Sequence, residues 1–226
     1  MRKKGVYTLE HYKEEDQANL LKKRKIGRRA KEVICAVEKY IKNLENKTIL
    51  DVGTADGKLL DILKEHYPNN KFYGLEYSFE LIKNSKNKQT IICGDGTQMP
   101  YLDKSIDVIF STAALEHIEA PALFLKESFR ILKDNGIIIA TTPHKFWIRL
   151  AEILGIEPEN EHYITFNISS LKDIFSKNNF SIIDCYKFMF FPFEFSFEKS
   201  FEKLLTDIGF NFLLMNQIIV SRKCVN

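Results

Sequence analysis

Cysteine, proline, glycine and long apolar runs are all scarce in this 226-residue chain. The four cysteines, Cys35, Cys93, Cys185 and Cys224, lie far apart and form no C-x-x-C pair. That excludes a disulfide scaffold and a cysteine-built metal site, and it suits a reducing compartment. Three of the four sit in apolar runs and read as small buried hydrophobes. Six Pro and ten Gly leave little room for flexible linkers. No stretch reaches the ~18 consecutive apolar residues that a membrane-spanning helix needs. The positive start, Met1-Arg2-Lys3-Lys4, is not followed by an apolar segment, so no secretory signal is expected. What remains, 45% hydrophobic and 28% charged, describes a globular protein, expected in the cytoplasm.

Net charge is only +3, but it is uneven. Residues 1–47 hold fourteen Lys/Arg against seven Asp/Glu, and the remainder nineteen against twenty-three. The chain therefore divides into a basic helical extension, 1–47, and a domain, 48–226. In the extension, Leu20, Leu21, Ile26, Ala30, Val33, Ile34, Val37, Tyr40, Ile41 and Leu44 recur at helical steps. Beyond it, short apolar runs alternate with helical patterns. The runs are 48–52, 71–75, 90–93, 106–110, 137–141, 181–185 and 217–221. The clearest helices are 58–66, stopped by Pro68, 121–132, opened by Pro121, and a segment to Lys177 capped by Ser169. This alternation predicts βαβ units and a doubly wound α/β sheet. Ligands of such sheets bind beyond the carboxyl ends of the strands.

Asp51-Val-Gly53-Thr54-Ala55-Asp56-Gly57 follows the first run and opens a helix. A dinucleotide fingerprint would need Gly at 53, 55 and 58, but 55 is Ala and 58 is Lys. Asp51 and Asp56 would also oppose a pyrophosphate. They suit a ligand with positive charge and no phosphate, as S-adenosylmethionine is.

This segment resembles motif I of the class I S-adenosylmethionine-dependent methyltransferases. The likeness continues in order through Gly74-Leu-Glu76-Tyr77, Cys93-Gly-Asp95-Gly96, the segment from Ile106 through Ser111 to Glu116-His117-Ile118, and Leu132 to Ile137. It extends through His162–Ser170 to Asn179-Phe180, over roughly residues 45–185 plus the last strand, and is nearest the small-molecule branch (types 11 and 23). It implies a Rossmann-like, seven-stranded, mostly parallel sheet with an antiparallel last strand and helices on both faces. It also implies S-adenosylmethionine held by Asp51, Gly53, Thr54, Ala55, Asp56, Gly57, Glu76, Tyr77, Asp95, Gly96 and Ser111. In that scheme Glu76 takes the ribose hydroxyls and Asp95 the adenine amino group.

Methyl transfer from a sulfonium needs positioning and water exclusion, with a base only where the acceptor must lose a proton. His117, just beyond the fourth strand, is the first candidate for that base, and His144 is the second. His162 heads a segment that can line the acceptor site. Glu116 reads as structural, and no metal is expected. No Asn/Asp-Pro-Pro-Tyr-like run follows the fourth strand, where Ser111-Thr-Ala-Ala114 stands instead. That argues against the amino groups of nucleobases or glutamine as acceptor.

Two segments stand apart. Residues 22–31 hold seven basic residues in ten, either a solvated helix face or a landing strip for an anionic partner, RNA or a membrane surface. Gly27 weakens a continuous helix there. Residues 188–197 contain six Phe, followed by a stripe of Phe197, Phe201, Leu204, Leu205 and Ile208. They fall in an insertion, 187–212, that can cover an acceptor pocket as a greasy wall or meet a membrane peripherally. Three readings stay open: a methyltransferase with a small, lipophilic acceptor, an RNA methyltransferase using the basic segment, and a non-catalytic partner subunit of the same fold.

Overall fold

The computed structural model describes residues 20–83, 85–86, 88–155, 162–190 and 197–224. The first nineteen residues, including His11, and residues 191–196 of the Phe-rich run lie outside them, as do the side chains of Leu20, Leu21, Lys22 and Lys23.

Helices alternate with strands because each parallel return needs a crossover. Helix α1 spans Leu20–Tyr40, β1 Thr48–Val52, α2 Lys58–His66, β2 Lys71–Glu76, α3 Phe79–Lys83 and β3 Ile91–Cys93. Strand β4, Ile106–Thr112, leads through a 3-10 turn, Leu115–His117, to α4, Pro121–Ile131. Then come β5, Leu132–Pro143, α5, Lys145–Ile153, α6, Ile168–Lys177, β6, Phe180–Phe188, α7, Glu198–Asp207, and β7, Asn216–Lys223. The sheet order is β3-β2-β1-β4-β5-β7-β6. All pairings are parallel except those of β7, which is antiparallel to β5 and to β6. This is the expected sheet.

Its two faces follow from side-chain alternation along each strand. Ile49, Val108, Phe110, Ile137, Ile139, Ile218 and Val220 face one core, with α1 and α2. Leu50, Ile109, Ile138, Ala140 and Ile219 face the other, with α4 and α6. Helix α1 runs unbroken through Gly27. The ~1 kcal/mol that a mid-helix glycine costs is outweighed by burial of Ala30, Val33, Ala36 and Val37 in the core.

Several boundaries move. Strand β5 begins at Leu132, straight after α4, and the expected turn at Asn135-Gly136 is a bulge within it, between the pairs Ile106–Leu132 and Val108–Ile137. Strand β6 continues to Phe188, so the insertion starts after it rather than at 187. Asn167, not Ser169, caps α6, through a reciprocal pair of hydrogen bonds with Ser170. Helix α5 was not foreseen. The cysteines are less enclosed than expected: Cys35 and Cys185 are half-buried, while Cys93 and Cys224 are exposed. Cys93 sits at the end of β3, the sheet's edge strand, where one neighbour is missing.

The two unusual segments meet each other. Arg28 is fully buried and pairs with Glu32 at 2.6 Å, Glu198 at 2.9 Å and Glu202 at 2.8 Å. The buried face of α7 is therefore Glu198, Glu202 and Leu205. The apolar stripe read from the sequence is split, with Phe197, Leu204 and Ile208 exposed. Arg29, half-buried, donates to Asn216 Oδ1. The basic run is thus no uniform landing strip, since two of its arginines point into the protein.

Candidate active site

The loop between β1 and α2 lies in the crevice where β1 has β2 on one side and β4 on the other, the topological switch point. Its backbone is left-handed at Gly53, Ala55 and Gly57. The N–H groups of Gly53 and Thr54 donate to Leu75 O, which ties the loop to the end of β2. A Cβ at position 53 would stand 2.4 Å from Ala114 Cβ, well inside contact distance. Only glycine lets the loop lie against the segment that leaves β4.

Acidic groups stand at three adjacent strand ends. Asp51, on β1, is 1% exposed, and its Oδ1 has no hydrogen-bond partner among the described residues. Burial pushes its carboxyl up to about 7, with the nearby Thr54 side chain pulling down and Glu76 adding to the rise. Glu76, the last residue of β2, is 9% exposed. It accepts from Ala55 N and Ser78 N, each at 2.8 Å. Burial raises its pKa, and backbone donors at Ser78, Ala55 and Tyr77 oppose the rise. A carboxylate offers about four lone-pair sites, so capacity remains for a ligand hydroxyl. Asp95, beyond β3, is exposed and takes Thr97 N and Oγ1 on Oδ1, at 2.7 and 2.8 Å. Its Oδ2 has no hydrogen bond among the described residues.

The other expected cofactor residues divide. Asp56 is half-buried and pairs with Lys58 Nζ at 3.0 Å. Tyr77 is 47% exposed, and a Cβ on Gly96 would press on Val52 at 3.2 Å. Ser111 is fully buried within β4, opposite Ala140, so its side chain lies under the rim rather than on it. An orphaned buried acid oxygen, a glycine-only crevice and two acids with spare lone pairs form a donor and acceptor set that fits a cationic nucleoside.

A second group of polar side chains lies beyond β4 and β5. His117 ends the 3-10 turn, and its ring centroid is 4.8 Å from that of His162. Glu116, 1% exposed, stands between chain segments that its own carbonyl joins, by accepting from Tyr163 N at 2.9 Å. Glu116, His117 and His162 each bring a ligand-type atom within 4.8 Å of the others. This cluster escaped the sequence reading, because nothing in spacing or periodicity relates residue 117 to residue 162. His144 instead caps α5: its Nδ1 accepts from Phe146 N at 3.3 Å. Burial, with Lys187 nearby, lowers its pKa to about 4.

Comparison with known proteins agrees with this geometry. A family model described as "Methyltransferase domain" matches residues 23–184. Malonyl-[acyl-carrier protein] O-methyltransferase 1 of Coxiella burnetii is 31% identical over 94 residues, 42% of this chain and 33% of that protein. The chain thus spans about a third of such relatives' length. A SAM-dependent methyltransferase of Thermotoga maritima superposes with a TM-score of 0.69 at 18% identity, covering 94% of this chain and 96% of that one. A Haloferax volcanii chain, solved in complex with the Trm112 methyltransferase activator, gives 0.69 at 16% identity, covering 91% and 95%. At those identities the two structures speak for the fold alone.

Proposed function

The chain belongs to the methyltransferase domain family, and from that premise we propose that it moves the sulfonium methyl of S-adenosylmethionine to a small, lipophilic acceptor. The observation that carries this reading is the row of acids, Asp51, Glu76 and Asp95, at consecutive strand ends around the Gly53–Gly57 loop. Glu76 accepts from the two ribose hydroxyls and Asp95 from the adenine amino group. Asp51 faces the positive methionine end. Each charge-assisted bond contributes ~1.5–3 kcal/mol net.

The transfer is an in-line displacement. The acceptor's lone pair forms the new bond to the methyl carbon, the carbon–sulfur bond breaks, and its electron pair stays on sulfur as a neutral thioether. An acceptor hydroxyl must also lose its proton, and in the absence of a bound ion His117, grouped with Glu116 and His162, is the base this reading assigns. His144 is left out of the chemistry, because its Nδ1 is engaged with the α5 backbone. A lipophilic acceptor is supported by exposed Phe146 and Ile153 on α5 with Leu154 just after it, and by Leu204 on α7 with Phe197 just before it. An oxygen acceptor is the first to screen, since the Coxiella relative is named for O-methylation. The RNA reading loses support because Arg28 and Arg29 turn inward. Among the described residues no helix is long and apolar enough to cross a membrane.

The test is calorimetric titration of the chain with S-adenosylhomocysteine beside a Glu76→Ala variant. The expected result is binding that the variant weakens at least tenfold, about 1.4 kcal/mol. A folded wild-type chain that binds neither S-adenosylhomocysteine nor S-adenosylmethionine overturns the proposal.

A further inference from the structure

We propose that Glu116, His117 and His162 form a binding site for one divalent transition-metal ion at the acceptor rim. Two imidazoles and one carboxylate are the donor set that borderline ions such as Zn²⁺ and Co²⁺ take in open, catalytic-type sites. The three ligand-type atoms lie within 4.8 Å of one another. Ligands at about 2.0–2.2 Å from a common ion stand roughly 3–4 Å apart, so side-chain rotation alone can draw them in. The backbone already holds the parts together. Glu116 and His117 are adjacent in the 3-10 turn, and Tyr163 N donates to Glu116 O at 2.9 Å, which clamps the segment that begins at His162 to that turn. The two rings pack against each other, 4.8 Å between centroids and tilted by 31°. Glu116 is 1% exposed, whereas His117 and His162 are half-buried. The ion therefore has an anionic floor and an open side from which an acceptor can approach.

The site also sits where an ion can act. Ala114, two residues before Glu116, touches the glycine loop so closely that position 53 tolerates no side chain. The metal's role rests on the methyltransferase reading above. With an ion bound, His117 would be a ligand in place of the base considered above. The ion would lower the pKa of an acceptor hydroxyl at the open position, so that its proton would pass to solvent and the resulting alkoxide would attack the methyl. The ion's oxidation state does not change.

The experiment uses the full chain, stripped with a chelator, and Co²⁺ alone as probe, followed by its visible absorption. The expected result is one equivalent bound with a nitrogen/oxygen spectrum and no thiolate charge-transfer band, which separates the site from the four cysteines. His162→Ala and Glu116→Gln should each weaken it at least ~10-fold, while S-adenosylhomocysteine affinity, titrated in parallel, stays within about twofold. His162→Ala is the main variant, because His162 is half-buried and its loss should leave the fold intact. No Co²⁺ binding by a chain that still binds S-adenosylhomocysteine overturns the metal site and leaves the methyltransferase reading standing. So does a thiolate spectrum, or binding indifferent to both variants. Co²⁺ binding at the cluster by a folded chain that binds no S-adenosyl compound keeps the metal site and removes the role assigned to it.

Discussion

At position 53 a single hydrogen decides whether the crevice exists. A methyl there meets Ala114 at 2.4 Å on a left-handed backbone. Gly53→Ala should cost ~1–3 kcal/mol and abolish detectable S-adenosylhomocysteine binding. Adding Ala114→Gly should restore part of the stability, because it removes the contact but not the backbone strain; thermal melts of the wild type and the two variants decide. Asp51 makes a prediction in pH. Its carboxyl is pushed up to about 7 in the folded state, against about 3.9 in an unfolded chain. The folded state thus holds the proton more tightly, so this contribution to stability is full below about pH 4 and is lost as pH rises through about 7. The ionised form is the one that attracts a cationic ligand. Affinity for S-adenosylhomocysteine, which keeps its ammonium, should therefore rise between pH 6 and 8, and Asp51→Asn should flatten that rise. The motif residues were legible one by one because glycine and acid at fixed spacing carry their own chemistry. Glu116 was not, since its role comes from a histidine distant in sequence.

Between elements, the contact of α1 with α7 is electrostatic where hydrophobic periodicity led one to expect an apolar stripe. Arg28 is buried among Glu32, Glu198 and Glu202. Burial acts to lower its pKa, but the carboxylates outweigh this and hold it above its ordinary value. Tyr186 donates to Glu32 at 2.7 Å and Phe190 N to Glu202 at 3.0 Å, so the acids also fasten β6 and the residues after it. Arg28→Met should destabilise the protein by about 3–5 kcal/mol near neutral pH, the cost of leaving buried charge uncompensated. The loss should shrink toward pH 5, as the stranded carboxylates take up protons. Urea denaturation at the two pH values measures both. The sequence shows a basic run and, far away, a helix that carries Glu198 and Glu202. That they neutralise each other is set by packing, which no local pattern encodes.

For the molecule as a whole, the basic helix is as much part of the core as the strands are. Ala30, Val33, Ala36 and Val37 share a cluster with Ile49, Phe110, Ile139 and Val220. Burying a valine side chain contributes about 1.5–3 kcal/mol, and whole domains are stable by only about 5–15 kcal/mol. A chain beginning at residue 48 should therefore lose its cooperative melting transition, as circular dichroism would show. A truncated chain that melts cooperatively within about 5 °C of the full one would mean that α1 is an appendage.

The amino-acid sequence alone determined the alternation of strands and helices, α5 excepted, and the acids at the strand ends, while the reversed last strand followed from the family resemblance. The first two are written in short-range patterns: short apolar runs, helical periodicity, glycines at turns, an acid where a strand stops. Tertiary structure decided what lies opposite what. It buried Arg28 against α7, sank Ser111 inside β4, set His144 to cap a helix, and brought His162 to Glu116 and His117. Such pairings depend on how the crossovers pack on the sheet, and the energy of a contact between residues far apart in the chain leaves no periodic trace along it.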